Sequence, residues 1–379
     1  MIFLVNFGRV VFAPLLDPFM TTFHVEEATV GLVATLAWLG SAVPRLPVGY
    51  LLMYVERHRI VLGAGLVLTA AAGFTATAGS IEAVMIGAFV MGTSSGAYFV
   101  AGNPLVSELF PERVGRMIGI HGTASQLAAV IAPLSIGLVV ASVGSWRTVL
   151  WGVSALSLVG TIGLFVAARR APMPDVQSSQ RHILASVRSQ WRIVLTGIAI
   201  IGATGFVWNG LFNFYVSYLT ATKDVSLGTA QTLLTVVFAA GVPAFWFAGR
   251  LADRIAHVTL MLSILLGFVL SVVALTVVES LAAVTVVSVI LGYVIHSLFP
   301  VIDTYLLDSL PDSDRGSAYA AYSAAMMAIQ AGASVVVGWL VQRGFAYDRV
   351  FQVFAVGLFG VLLVLFALRR TDRLPNTAR

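Results

Sequence analysis

The sequence contains no cysteine among its 379 residues. Disulfides, thiolate-held metals and cysteine nucleophiles are therefore excluded. Lysine is nearly absent as well, since Lys223 stands alone. A phosphate-binding loop needs a Gly-Lys-Ser/Thr run, and Lys223 sits in Thr-Lys-Asp, so a nucleotide-driven motor of that kind is ruled out. Charge of either sign is scarce: Asp, Glu, Lys and Arg make up 10% of the chain, against about a quarter in soluble domains. No His-Glu-x-x-His occurs and the six histidines are scattered, so a metalloprotease has no support. What is abundant is apolar surface. Hydrophobic residues form 59% of the chain, and the mean hydropathy is +0.94. A core of this size cannot bury that much, and the solvent must be lipid.

The net charge of +5 and a pI near 9.7 would indicate nucleic acid in a soluble protein. Here the positive charges sit in short loops, where they set topology, so no nucleic-acid partner is expected. The N-terminus is apolar from Ile2 onward and lacks a basic leader and an Ala-x-Ala site; it reads as a first span rather than a signal peptide. A span needs roughly 20 mostly apolar residues. That rule places about twelve spans, near 2–23, 29–53, 60–79, 82–107, 117–142, 147–168, 192–219, 228–250, 258–278, 281–307, 317–341 and 348–368. Arg57, Arg59, Arg113, Arg116, Arg169, Arg170, Arg181, Arg188 and most later arginines fall on one side; Arg147, Lys223, Arg343 and Arg349 fall on the other. The positive-inside rule makes the first side, with both termini, cytoplasmic.

The expected architecture is an all-α, polytopic membrane protein in two six-helix halves, 1–168 and 192–379, joined by a cytoplasmic linker at 169–191. Within the linker, Ile183, Leu184, Val187 and Trp191 fall at near-helical spacing, which fits either a short helix on the inner leaflet or a plain basic linker. The halves repeat at a shift of close to 200 residues: Gly49-x-Leu51 recurs as Gly249-x-Leu251, Gly92 as Gly292, Phe99 as Phe299, Asn103 as Asp303, Glu108 as Asp308 and Pro111 as Pro311. Two repeated six-span halves describe a transporter with its site between them. Gly92-Thr-Ser94-Ser-Gly96 has the form of a hydrolase nucleophile elbow, but that motif needs a strand–turn–helix context. Close helix packing accounts for it better, and no enzyme is expected.

Gly249-Arg-Leu-Ala-Asp253-Arg254-Ile-Ala-His257 resembles the signature loop of the major facilitator superfamily. The first half carries a degraded copy, Gly49-Tyr-Leu-Leu-Met53-Tyr54-Val-Glu56-Arg57. The resemblance implies alternating access and a cytoplasmic gate in which Gly249, Asp253 and Arg254 form the latch, Asp253 meeting the start of span five after Arg116. A helix N-terminus favours such a carboxylate. Glu108, Arg113 and Arg116, with Asp308 and Arg315, extend this into a charge network or remain solvated loop charges. Ala132-Pro133-x-x-x-Gly137 loosely resembles the Gly-Pro stretch of antiporters. Asn6-Phe-Gly-Arg9 resembles a span-one segment of organic-anion symporters, and Arg45-Leu-Pro47-Val-Gly49 an anion-binding stretch of nitrate porters, whose second arginine corresponds to Phe245 here.

Charges inside a membrane are costly and usually face a cavity or a partner. Arg9 and Asp17 in span one, Arg45 in span two, and His296 and Asp303 in span ten are the candidates. Arg9, Arg45, His296, Asn209 and Asn213 are the expected substrate-binding residues, and Asp303 or His296 the proton carrier. Each also has a structural reading: Arg45 reaching the interface, Asp17 in a wet vestibule, Asp303 paired with an arginine, His296 as an interior hydrogen-bonded ring. Trp208 and Tyr215 serve as cavity wall or as packing. The expected function is a monomeric, proton-driven secondary active transporter of a small organic or inorganic anion in the cell membrane. Its partners would be substrate, protons and the lipid bilayer, with no cofactor or metal. Efflux of drugs or metabolites by antiport is the alternative, and a membrane sensor or enzyme a remote one.

Overall fold

The computed structural model describes residues 1–52, 54–110, 114–170, 183–252, 254–371 and 374. Among them twelve helices are long and apolar enough to cross a membrane: α1 (Ile2–Phe23), α2 (Glu27–Leu51), α3 (Arg57–Ala76), α4 (Ile81–Val106), α5 (Ile120–Val143), α6 (Trp146–Arg170), α7 (Trp191–Thr222), α8 (Leu227–Ala248), α9 (His257–Val277), α10 (Leu281–Leu306), α11 (Ala318–Gln342) and α12 (Tyr347–Arg370). No strand occurs among the described residues. The fold is a twelve-helix membrane fold. With no water in hydrocarbon to satisfy backbone groups, continuous helices are the solution open to so apolar a chain.

The chain forms two compact units, Met1–Arg181 and His182–Arg379. Within the first unit α2 packs on α4, α3 on α4 and α6, and α1 on α5. Within the second the same pattern recurs, with α8 on α10, α9 on α10 and α12, and α7 on α11. The repeat is written into the backbone. Among the described residues, the left-handed conformations at His24 and Gly144 recur at Asp224 and Gly344. Ser80 caps α4 by accepting from the Ala83 amide, and Ser280 caps α10 from Ala283, each at 3.3 Å. A methyl group on Gly92 would meet the Ala37 carbonyl, and one on Gly292 the Val237 carbonyl. Gly40 and Gly96 face Phe89 and Ser41 backbone in the same way. These glycines bring α4 against α2 and α10 against α8 at backbone distance. This is what the Gly92–Gly96 motif does.

The spans are less straight than hydropathy suggests. In α1 a helix over Ile2–Val10 gives way to a tight 3₁₀ turn at Ala13–Leu15 around Pro14. In α2 helix Glu27–Ala42 is followed after Pro44 by Arg45–Leu51. In α7 a π-helical turn at Ile198–Gly202 interrupts the ladder, and the Gln330 side chain donates to the Ile201 carbonyl at 3.2 Å. Each break frees backbone groups, and in a membrane a neighbouring side chain must take them. The linker contributes a helix, Ile183–Ser189, which packs on the helix Asp312–Ala331.

Candidate functional site

In the first unit the central charged residue is Arg9. Its guanidinium donates to Asn6 Oδ1, one turn back, at 2.6 Å, and Asn6 is itself fixed by donating to the Ser125 carbonyl of α5 at 2.7 Å. Two aromatic faces hold the cation: Trp38 of α2 with its centroid 4.7 Å from Cζ, and Phe99 of α4 at 5.3 Å. Such contacts contribute about 2 kcal/mol when desolvated, which offsets part of the ~2.5–3.5 kcal/mol that a mid-span arginine costs. Among the described residues of its unit, Arg9 has no carboxylate within ion-pair distance. Its Nε is buried without a hydrogen-bond partner among the described residues. Arg45 lies near enough to add its positive field, and its own Nε donates to the Ser41 carbonyl at 3.2 Å. Tyr98 and His121 join α4 to α5 beside this cluster, their polar atoms 2.9 Å apart. Asp17 stands in the first turn of Leu16–Phe23, where the helix dipole favours an anion.

The second unit places His296 in a comparable setting. Its Nδ1 lies 2.7 Å from the Gly292 carbonyl. A carbonyl only accepts, so Nδ1 carries the proton and Nε2 is the nitrogen that can take up another. Trp208, Phe238, Phe245 and Phe299 surround the ring at centroid distances of 5.6, 5.5, 6.2 and 6.2 Å. A side chain at Gly241 would collide with the imidazole, so the glycine makes its place. Asp303, further along α10, accepts from the Tyr319 hydroxyl of α11 at 2.9 Å. Asn209 and Asn213 on α7 form a buried amide pair: Asn213 Nδ2 donates to Asn209 Oδ1 at 2.6 Å and lies 3.0 Å from Ser334 Oγ of α11. Asn209 Nδ2 is buried and has no partner among the described residues. Tyr215 hydrogen-bonds Ser288 and so joins α7 to α10.

The two clusters use repeat-related positions. Trp38 and Phe238 correspond, as do Phe99 and Phe299, and they form the aromatic walls against Arg9 and against His296. Positions 9 and 209 correspond too, and both present a buried N–H donor with no partner among the described residues. Of the wall residues, Trp38, Phe238, Tyr98 and His121 were not singled out from sequence. Aligning the halves at a shift of 200 would have exposed the 38/238 pair; nothing local marks Tyr98 or His121.

The expected gate residues are described only in part. Asp253 and Arg113 lie outside the described residues, as do the side chains of Arg116, Asp308 and Arg315. Gly249 falls in the helix Leu227–Ala252, and Arg254 is exposed. Glu108 forms an ion pair with Arg57 at 3.0 Å, tying the end of α4 to the start of α3, with side chains only 19% and 11% exposed. Where the first-half loop lacks the signature's Asp-Arg, Glu56 pairs with Arg59 at 2.6 Å. Among the described residues no group of three or more acidic residues or histidines is placed to hold a metal.

Comparison with known proteins gives a consistent result. An uncharacterised transporter of Escherichia coli O157:H7, YgaY, is 31% identical over 157 residues, 40% of this chain and 38% of that protein. An uncharacterised protein of Mycobacterium tuberculosis is 24% identical over 277 residues, 70% of this chain and 64% of that protein. The alignments thus span less than two thirds of these relatives. The crystal structure of a bacterial homologue of the human lysosomal transporter Spinster, in an inward-facing, occupied conformation, superposes with a TM-score of 0.77. It does so over 98% of this chain and 95% of that one at 16% identity, and so shows the fold alone. The family model of the Major Facilitator Superfamily matches residues 1–222 and 199–379. With twelve membrane helices and a family match along its whole length, this chain belongs to the Major Facilitator Superfamily.

Proposed function

We propose that the chain is a secondary active transporter of a small anion, alternating between inward-open and outward-open states in the cell membrane with both termini cytoplasmic. One observation carries the reading: Arg9 and Asn209, at corresponding positions of the repeat, each keep a buried donor without a partner among the described residues. A buried unsatisfied donor costs ~1–3 kcal/mol, and a group rich in acceptors would relieve that cost. For Arg9 the missing carboxylate, with Arg45 close by, favours an acceptor that is negatively charged. Asp303 on α10 and Nε2 of His296 are the groups suited to carry a coupled proton. Among the described residues neither cluster pairs a nucleophile with a base and oxyanion donors, which favours transport over catalysis. A gate built on Gly249, Asp253, Arg254, Glu108, Arg116, Asp308 and Arg315 accompanies this reading, with no cofactor and with the monomer as the working unit.

The test is binding. The purified protein is screened by thermal shift against small organic and inorganic anions, and Arg9→Lys is compared with wild type. Lysine keeps the charge but lacks the planar fork of donors. Saturable stabilisation of the wild type that Arg9→Lys loses supports the anion site; normal binding by the variant refutes it. A second reading rests on the aromatic wall of Trp208, Phe238, Phe245 and Phe299. Such walls suit amphipathic cations, and stabilisation by a cationic panel instead would favour efflux by antiport.

A further inference from the structure

One apolar cavity of the second unit shares no lining residue with the His296 cluster. It is a groove of about 790 Å³, between the first turns of α7 and the second half of α12. Its walls are Leu195 and Ala199 from α7 and Gly360, Val364 and Leu368 from α12, and its mouth is Trp191 and Arg192. The apolar walls are open to the surroundings: Leu195 is 54% and Val364 60% exposed. At 1.5 Å per residue, Gly360 to Leu368 descends about 12 Å, most of the ~15 Å thickness of one hydrocarbon leaflet. At the bottom Gly360 leaves open space where a side chain would stand.

The mouth is of opposite character. Trp191 is half exposed and is the first residue of α7; at the end of a span tryptophan anchors to head groups. Arg192 stacks on it, Cζ 5.5 Å from the ring centroid. No carboxylate of the described residues forms an ion pair with Arg192. The last turn of α12 adds Arg369 and Arg370. Arg369 reaches Thr259 of α9 at 2.6 Å, and Arg370 lies over Phe366. An apolar slot about one leaflet deep, ending in a guanidinium with no ion pair among the described residues and in two further arginines of the last turn of α12, matches one molecule in shape and charge.

We propose that this groove binds an anionic phospholipid, one acyl chain lying along α12 down to Gly360 and the phosphate meeting Arg192. Its place is the leaflet that holds the start of α7 and the end of α12. The inference stands on the groove alone and does not depend on the transported substrate.

The experiment uses the full chain in mild detergent and native mass spectrometry. Phosphatidylglycerol and phosphatidylcholine of identical acyl chains are the probes, and inorganic phosphate is the competitor. Wild type should retain phosphatidylglycerol in preference to phosphatidylcholine. Arg192→Gln should reduce that preference about fivefold, the effect of one basic residue near a charged head group, while leaving phosphatidylcholine binding unchanged. Gly360→Leu fills the slot from an open position, so the fold survives, and one bound lipid of either type should be lost. The proposal is overturned if the preference persists in Arg192→Gln, if Gly360→Leu keeps the full lipid count, or if free phosphate displaces phosphatidylglycerol, which would make the site one for the anion without its chains.

Discussion

Lys223, the one lysine, is built into a buried cluster at the end of α7. Its Nζ lies 3.4 Å from Asp348 Oδ1 of α12 and donates to the Thr276 carbonyl of α9 at 3.1 Å. Asp348 also accepts from the Tyr218 hydroxyl at 2.5 Å. The lysine side chain is 4% exposed and the aspartate 27%. At an effective dielectric of about 20, unit charges at this separation attract by ~5 kcal/mol before desolvation is counted. Lys223→Met removes the charge but keeps the stem. Asp348 then stays in place with only Tyr218 and partial solvent, and the Thr276 carbonyl loses a charged donor. Removing one partner of a buried pair costs ~3–5 kcal/mol, and the partial exposure of Asp348 places the expected loss near the lower end, ~3 kcal/mol. Asp348→Asn alone strands the lysine, the more buried partner, and should cost at least as much. The double variant strands no charge, and its asparagine oxygen still accepts from Tyr218, so it should be more stable than either single variant. The assay is a denaturant or thermal unfolding series of the four proteins in one detergent, read as a double-mutant cycle. A Lys223→Met loss below ~0.5 kcal/mol, or costs that simply add, would refute the argument that the pair is desolvated and coupled.

Three further outcomes follow from the packing and the proposed cycle. Gly92→Ala puts a methyl against the Ala37 carbonyl and should destabilise by ~1–3 kcal/mol, whereas Gly63→Ala, which meets nothing within 4 Å, should be neutral or gain up to ~1 kcal/mol in helix propensity; equal melting shifts would contradict the close approach of α2 and α4. Asp303→Asn keeps the Tyr319 contact but cannot titrate, so it should retain substrate counterflow and lose proton-driven uptake; loss of both would make Asp303 a binding or structural residue. Reporter tags at either terminus or in 169–191 should read cytoplasmic and a tag beside Lys223 external, and an external signal from the linker would reverse the orientation.

The sequence by itself determined the solvent, the number of spans and the repeat, because each follows from properties summed along the chain. Hydropathy over some twenty residues decides whether a segment enters lipid, which is why 2–23 and 258–278 lie so close to Ile2–Phe23 and His257–Val277. It could not locate the π-helical turn in α7 or the break at Pro44, since Pro104, Pro133, Pro243 and Pro300 all lie inside unbroken helices. Whether a proline bends its span depends on which neighbour takes up the freed backbone groups. Arg9, His296 and Asp303 were legible as candidates because a charge in an apolar run is conspicuous and costly. Their surroundings were not. Trp38 and Phe99 come to Arg9 from two other helices, Tyr319 to Asp303 from a third, and Arg57 to Glu108 across a helix boundary. Aromatic residues are common in every span, so only packing distinguishes the ones that face a cation. The sole lysine shows the same limit: sequence placed Lys223 in an outer loop, and tertiary structure buried it against Asp348, 125 residues away, because the ends of α7, α9 and α12 converge there.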